Sequence, residues 1–182
     1  MFNNVIGDWP TQDRFILTSC DEKYFNRYFP RFYKTFTKKW QLPIHAHVID
    51  PSQKSLERLN GLDVSHTYCK TDDNILKWPY SYETYCQAQR FILLGHRVIE
   101  TQSVIVADVD AYALKEPSEA HKQTLFKDMA FTRCHNRLMA TFCHFHPRKK
   151  KEALLTFTSC IGPLKLIGVF ARLSWSDLRG DR

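Results

Sequence analysis

Two aspartates, Asp108 and Asp110, follow directly on the apolar run Val104 to Ala107. An apolar run of this kind is typical of a strand buried inside a sheet, and ligands of α/β proteins bind beyond the carboxyl ends of such strands. Alternate residues can face one crevice, and carboxylate oxygens suit Mg²⁺ or Mn²⁺ while leaving coordination positions open for phosphate oxygens. We therefore predict a divalent metal site at the two aspartates. The alternative is a solvated turn that ends the strand.

Two pairs of histidines have the alternate spacing that places both rings on one face of a strand. They are His144 with His146, and His45 with His47. Because neutral imidazole binds Mn²⁺ or Zn²⁺, His146 is a candidate third ligand of the metal. The alternative for both pairs is a polar role in the core or at the surface.

Glycine is scarce, with 6 in 182 residues. Neither the G-x-G-x-x-G motif of dinucleotide-binding proteins nor the G-x-x-x-x-G-K-[ST] motif of P-loop proteins is present. A glycine-rich backbone loop therefore cannot bind phosphates here in either of those ways. A bound nucleotide would need its diphosphate neutralised by a metal, by Lys and Arg, or by both.

Strand and helix patterns alternate along the chain and predict an α/β protein with a mixed, mostly parallel sheet flanked by helices. Phenylalanines at spacings of 4, 3 and 4 from Phe25 to Phe36 predict one helical face, with a kink or a restart at Pro30. A further helix is expected from Tyr82 to Gly95. The strands are expected at residues 15–18, 44–49, 64–69, 104–107, 130–132 and 141–143.

Four of these segments resemble the nucleotide-binding half of A-type (GT-A) glycosyltransferases. They are RFILTSCDEKYF from Arg14, HVID from His47, YCQAQRF from Tyr85 and SVIVADVDAYAL from Ser103. Their order and spacing are more specific than any one motif, and together they extend over about residues 13–146. The resemblance implies the GT-A, Rossmann-like fold as a single compact domain at residues 1–147.

The resemblance implies a nucleoside site at the end of the first strand. Thr18, Ser19 and Cys20 would line the nucleoside, and Tyr24 would stack on the base. Asp50 would contact base or ribose. Two of these assignments have ordinary structural alternatives: Tyr24 as a helix-surface aromatic, and Asp50 as a turn residue before Pro51.

The resemblance also implies the diphosphate side of the site. Arg90 would contact the base or the sugar, Asp108 the ribose or the metal, and Asp110 would be the principal metal ligand. The alternative for Arg90 is an ordinary exposed charge. The implied reaction is transfer of a hexose from a UDP-sugar, of the UDP-glucose or UDP-galactose type, with Mn²⁺ or Mg²⁺ stabilising the departing UDP.

The formal charge of +7 is unevenly distributed. Residues 1–110 hold 13 basic and 13 acidic side chains, whereas residues 111–182 hold 13 and 6. We therefore expect no nucleic-acid partner. The basic C-terminal segment, residues 148–182, begins with Arg148 to Lys151 and is expected to pack on or extend from the domain. Those four cations would neutralise diphosphate, bind an anionic acceptor or contact an anionic membrane surface, or form a solvated loop.

Relatives of this type usually have a longer second half that supplies the acceptor site and, in inverting enzymes, a catalytic carboxylate. We assign no catalytic residue and no acceptor from the sequence. Two other functions stay open. One is a truncated UDP-sugar-binding protein that only hydrolyses its ligand or transfers little. The other is a metal-dependent nuclease or nucleotidyltransferase.

The compartment is expected to be cytoplasmic. The first ten residues have neither the basic start nor the apolar run of a signal peptide. Six cysteines occur without a C-x-x-C motif, which favours free, buried thiols. The apolar stretch Leu154 to Trp175 is interrupted by Pro163, Lys165 and Arg172, so it is not expected to span a membrane.

Overall fold

Strands and helices alternate through the first part of the chain. The computed structural model describes residues 5–71, 82–94, 100–120, 122–123, 130–134 and 137–147. The three helices in this part of the chain are α1 (Glu22–Trp40), α2 (Gln53–Asn60) and α3 (Tyr82–Leu94). Its strands are β1 (Ile6–Gly7), β2 (Arg14–Asp21), β3 (Ile44–Ile49), β4 (Ser65–Cys69), β5 (Ser103–Ala107), β6 (Ala130–Cys134) and β7 (Arg137–Phe145).

The described strands form one sheet in the order β1-β4-β3-β2-β5-β7-β6. The four central strands, β4, β3, β2 and β5, are parallel neighbours. Strands β1 and β7 run antiparallel to them, and β6 is antiparallel to β7. Five of the seven strands therefore point the same way, which confirms the predicted α/β, mixed and mostly parallel sheet. The short edge strand β1 was not predicted.

The two faces of the sheet are both covered, because alternate residues of each central strand enter different clusters. Ile16, Ala46 and Ile105 pack in the cluster that contains the phenylalanines of α1. Phe15, Leu17 and Val104 pack in a second cluster with Phe91 and Leu93 of α3. Burial on both faces explains why these strands are continuous apolar runs in the sequence.

Helix α1 begins directly after Asp21 and crosses its proline without a break. Asp21 is the N-cap, and its carboxylate accepts a hydrogen bond of 2.7 Å from the backbone N–H of Tyr24. No second helix restarts at the exposed Pro30. A proline inside a helix costs about 3 kcal/mol. Each fully buried phenylalanine on the opposite face contributes about 1.5–3 kcal/mol, so the four of them outweigh that cost.

No helix of the described residues is both long enough and apolar enough to cross a bilayer. The basic C-terminal segment, 148–182, lies outside the described residues.

Candidate nucleotide site

A cavity of about 270 Å³ lies where the carboxyl ends of β2 and β5 meet. The two strands are parallel neighbours that pair Leu17 with Val106, so the residues that follow each pairing emerge at the same edge of the sheet. Helix α3 provides a third wall. The lining residues are Ser19, Cys20, Asp21, Tyr24, Cys86, Arg90, Asp108, Val109 and Asp110. Six of the eight residues predicted for the nucleotide-sugar site are among them.

An ion pair joins two walls of the cavity. Nη1 of Arg90 in α3 lies 2.5 Å from Oδ1 of Asp108 after β5. Burial lowers the pKa of Arg90, and the neighbouring Asp108 carboxylate opposes that change. Burial likewise raises the pKa of Asp108, with Arg90 opposing and Asp110 adding to the rise. Each ion therefore depends on the other, since removing either partner would leave a desolvated charge.

Buried polar atoms at the cavity lack partners. Arg90 is 7% exposed and Ser19 is 4% exposed, yet Nε of Arg90 and Oγ of Ser19 have no hydrogen-bond partner in the part of the chain that the structure describes. Oγ1 of the neighbouring Thr18, which is buried but does not line the cavity, has none either. An unsatisfied buried polar group costs about 1–3 kcal/mol. A ligand with hydroxyl or phosphate oxygens would supply the missing partners to the two groups that line the cavity.

Tyr24 stands at the rim of the cavity in the first turn of α1. Its side chain is 43% exposed, and its ring centroid lies 5.2 Å from that of Tyr28. The hydrogen bond from its backbone N–H to Asp21 fixes the start of the helix and therefore the position of the ring. An exposed aromatic face beside a polar cavity can stack on a nucleobase.

The acidic residues outnumber the basic ones in the lining. Among the described lining residues, Asp21, Asp108 and Asp110 face a single cation, Arg90. A nucleoside diphosphate would therefore meet a net negative wall, and a divalent cation between the carboxylates and the diphosphate would remove the repulsion. Asp110 is exposed and has no ion-pair partner in the described part of the chain, which leaves its oxygens accessible to such a cation.

The fit of the lining to a divalent metal rests on two carboxylates. The turn in which the backbone N–H of Ala111 donates to the carbonyl of Asp108 keeps Asp108 and Asp110 on one wall. Within the described residues, no group of three or more His, Cys, Asp or Glu side chains could hold a metal. Mg²⁺ and Mn²⁺ sites of one or two carboxylates completed by phosphate and water are common, so the residues fit a metal that arrives with its nucleotide.

Asp50 is not among the described residues that line the cavity, and its carboxylate is hydrogen-bonded to Thr71 and Tyr82. Its carboxylate accepts hydrogen bonds from the backbone N–H and the hydroxyl of Thr71, at 2.7 and 2.6 Å, and from the hydroxyl of Tyr82 at 3.1 Å. Its φ of 52° is in the left-handed region, which aspartate tolerates in turns. Asp50 therefore connects the end of β4 to the start of α3, and the structure does not bring it to the other predicted site residues.

His146 is also far from the two aspartates, and we correct that expectation. Strand β7 is antiparallel to β5 and pairs Phe145 with Val104. The chain therefore leaves β7 at the amino end of β5, whereas Asp108 follows its carboxyl end. Five strand residues, about 16 Å, separate the two ends. Its neighbour His144 is buried at the same end, with Nε2 2.6 Å from the hydroxyl of Ser103.

The other histidine pair belongs to a buried polar network between β3 and β4. The Thr67 hydroxyl lies 3.0 Å from Nε2 of His45 and 2.9 Å from Nδ1 of His47. Nδ1 of His45 also contacts the Ser65 hydroxyl at 3.0 Å, and Nε2 of His47 contacts the Cys69 sulfur at 3.4 Å. Burial lowers the pKa of each histidine to about 3, so both rings are neutral.

Three lining residues were not among those predicted: Asp21, Cys86 and Val109. Cys86 could have been found, because it precedes Arg90 by four residues and so shares its helix face. Burial raises the pKa of Cys86 to about 12 and that of Cys20 well above its ordinary value, so both thiols are neutral and not nucleophilic. Cys20, Cys69, Cys86 and Cys143 are free and buried, as expected.

No protein-family model matches this chain, and no curated protein sequence matches it. The assignment of the site therefore depends on its geometry and chemistry.

Proposed function

We propose that this protein is a glycosyltransferase that transfers a hexose from a UDP-sugar at the cavity between β2, β5 and α3. One observation carries the proposal. Residues from three distant segments, each assigned by the resemblance to the donor site, line the same cavity at the carboxyl edge of the sheet. The end of β2, one arginine of α3 and the aspartates after β5 meet at the edge where α/β proteins bind ligands.

The nucleoside would lie against β2 and α1. Tyr24 would stack on the base, an interaction worth about 1–3 kcal/mol in nucleic-acid complexes. The unpartnered hydroxyl of Ser19 would hydrogen-bond to the nucleoside. The cavity of about 270 Å³ is slightly below the usual range of ligand pockets, so the hexose would extend beyond it toward the acceptor.

The diphosphate would lie against Arg90, Asp108 and Asp110. Asp110 would hold a divalent metal together with the outer oxygen of Asp108, whose other oxygen contacts Arg90. When bound, Mn²⁺ or Mg²⁺ would neutralise charge that develops on the departing UDP. Arg90 would keep Asp108 oriented and offer its free Nε–H to a phosphate oxygen.

The nuclease alternative is not favoured by this geometry. It requires a third carboxylate at the metal, and Asp21 is the third acid of the cavity. Its carboxylate instead caps α1, and no three-ligand metal group occurs in the described residues.

Metal-dependent UDP binding tests the proposal. Calorimetry should detect UDP binding in the presence of Mn²⁺ and at least about tenfold weaker binding with EDTA, because the cavity wall is net negative without the metal. Asp110→Asn should abolish the effect of Mn²⁺. The matched control is Asp63→Asn, which changes an exposed carboxylate of the turn after α2 and should leave binding unchanged.

A donor-turnover assay separates transfer from binding alone. Release of UDP from UDP-glucose or UDP-galactose, dependent on an added acceptor, supports the proposed transferase. UDP binding with only slow, acceptor-independent release would support the sugar-hydrolysing alternative. If the native protein does not bind UDP with Mn²⁺, the proposed function is wrong.

A further inference from the structure

Helix α1 carries six basic residues and one acidic residue, although residues 1–110 as a whole have no net charge. Glu22 is its single acid, and it accepts hydrogen bonds from the hydroxyls of Ser52 and Ser55. Its six basic residues are Lys23, Arg27, Arg31, Lys34, Lys38 and Lys39. Almost half of the cations of the first 110 residues therefore lie on one helix.

Four of these cations form a line that we call the basic stripe: Arg27, Arg31, Lys34 and Lys38. Their spacings of 4, 3 and 4 place them on one side of the helix, opposite the four buried phenylalanines. All four are exposed, and the ion pairs found in the described residues do not include any of them. Like charges at these spacings repel by about 0.2–0.5 kcal/mol per pair, so the stripe favours an anionic partner.

Tyrosines connect the basic stripe to the cavity. The guanidinium of Arg27 lies 5.0 Å from the ring centroid of Tyr28, which neighbours the cavity-lining Tyr24. The guanidinium of Arg31 lies 3.8 Å from the ring centroid of Tyr112, two residues beyond Asp110. The surface therefore begins at the rim of the cavity and continues for about 21 Å along α1 to Lys38.

We propose that the basic stripe binds the acceptor and that the acceptor is an acidic saccharide, a glycan that carries carboxylate, sulfate or phosphate groups. This inference rests on the proposed sugar-transfer function, which requires an acceptor to reach the cavity rim. The cations pair with the acidic groups of the glycan, and the stripe directs its reacting end to the cavity rim.

The same residues argue against two other anionic partners. A helix that lies on a membrane inserts an apolar face, but the apolar face of α1 is buried against the sheet. A surface for single-stranded nucleic acid stacks successive bases on free aromatic rings, but Arg27 and Arg31 lie over the rings of Tyr28 and Tyr112.

Binding of defined oligosaccharides tests the inference. The probes are a hexamer of galacturonic acid, a sulfated hexasaccharide and neutral maltohexaose. The variant Lys34→Glu/Lys38→Glu reverses two stripe charges that form no ion pair within the described residues. The matched control, Lys54→Glu/Lys115→Glu, reverses two exposed lysines elsewhere and changes the net charge equally. Calorimetry at low and high salt gives the affinities.

We expect the native protein to bind at least one acidic hexamer and not maltohexaose, with affinity that falls as salt rises. The stripe variant should bind the acidic probe at least about tenfold more weakly, and the control within about twofold of the native protein. Equal loss in both variants, or no preference for acidic probes, would overturn the inference. Stripe-dependent binding that favours phosphatidylserine vesicles or a single-stranded oligonucleotide would overturn it as well.

UDP binding with Mn²⁺, measured on the same samples, separates this inference from the proposed function. UDP binding that is equal in all three proteins, without stripe-dependent saccharide binding, contradicts the acceptor assignment alone. Absence of UDP binding in the native protein contradicts the proposed function, and with it the interpretation of the stripe as an acceptor surface.

Discussion

At the scale of single residues, the ion pair between Arg90 and Asp108 neutralises one of the three carboxylates that line the candidate site. Arg90 is the one cation among the described lining residues, and it is almost fully buried. Its contact with Asp108 leaves Nε unsatisfied, so part of its hydrogen-bonding capacity is kept for a ligand. A ligand that paired with this unsatisfied donor would gain binding free energy, because the folded chain does not supply the donor with a partner.

Arg90→Met should destabilise the fold by up to about 3 kcal/mol, because it leaves the partly buried carboxylate of Asp108 without its cation. Urea unfolding at pH 7 measures the change. The double variant Arg90→Met/Asp108→Asn is the control and should be more stable than Arg90→Met alone, since it removes both charges. A loss below about 1 kcal/mol for Arg90→Met would contradict the dependence of each ion on the other.

At the scale of secondary-structure elements, β3 and β4 are joined by more than their backbone ladder. The network of His45, His47 and Thr67 lies between them, and Trp9 stacks on His45 with ring centroids 5.1 Å apart. The Thr67 hydroxyl hydrogen-bonds to both His45 and His47, so protonation of either histidine would disturb both hydrogen bonds. The network requires both rings to stay neutral.

Lowering the pH below about 6.5, the ordinary pKa of histidine, should therefore destabilise the protein. In the folded state the pKa of both rings is about 3, against an ordinary value of 6.5, so the unfolded chain binds more protons as the pH falls. Stability is complete above pH 6.5 and is lost as pH falls toward 3, by about 1.4 kcal/mol per pH unit for each ring. Urea unfolding between pH 7 and 4.5 measures the slope.

His47→Gln should lower stability at pH 7, because it disturbs a buried network, and should reduce the slope by about 1.4 kcal/mol per pH unit, because one of the two titrating rings is lost. A slope equal to that of the native protein would show that other groups cause the acid sensitivity.

At the scale of the whole molecule, the basic stripe on α1 adjoins the candidate site. All seven described strands and every described residue that lines the cavity come before residue 148. The basic stripe therefore places cations beside the cavity from within the described part of the chain.

A chain that ends at residue 147 should unfold in one cooperative transition and bind UDP with Mn²⁺ within about threefold of the full chain, because every lining residue is retained. Thermal unfolding with and without the ligand measures both properties. Aggregation or non-cooperative unfolding of the shortened chain would show that residues 148–182 belong to the same domain as the cavity.

Local sequence determined the elements and the residues at their ends. Apolar runs and helical spacing are local patterns, so β3, β5 and the buried face of α1 could be predicted from them. Parallel strands bring their carboxyl ends to one edge, so the proximity of Ser19, Cys20, Asp108 and Asp110 followed once the central strands were taken as parallel.

Only the tertiary structure decided which side chains meet. His146 is distant from the aspartates because β7 runs antiparallel to β5. The carboxylate of Asp50 is occupied because it accepts hydrogen bonds from Thr71. The contact of Arg90 with Asp108 and of Arg31 with Tyr112 joins segments far apart in the chain. Periodicity along one segment contains no information about strand direction or partners elsewhere, because both are set by which distant surfaces can be buried together.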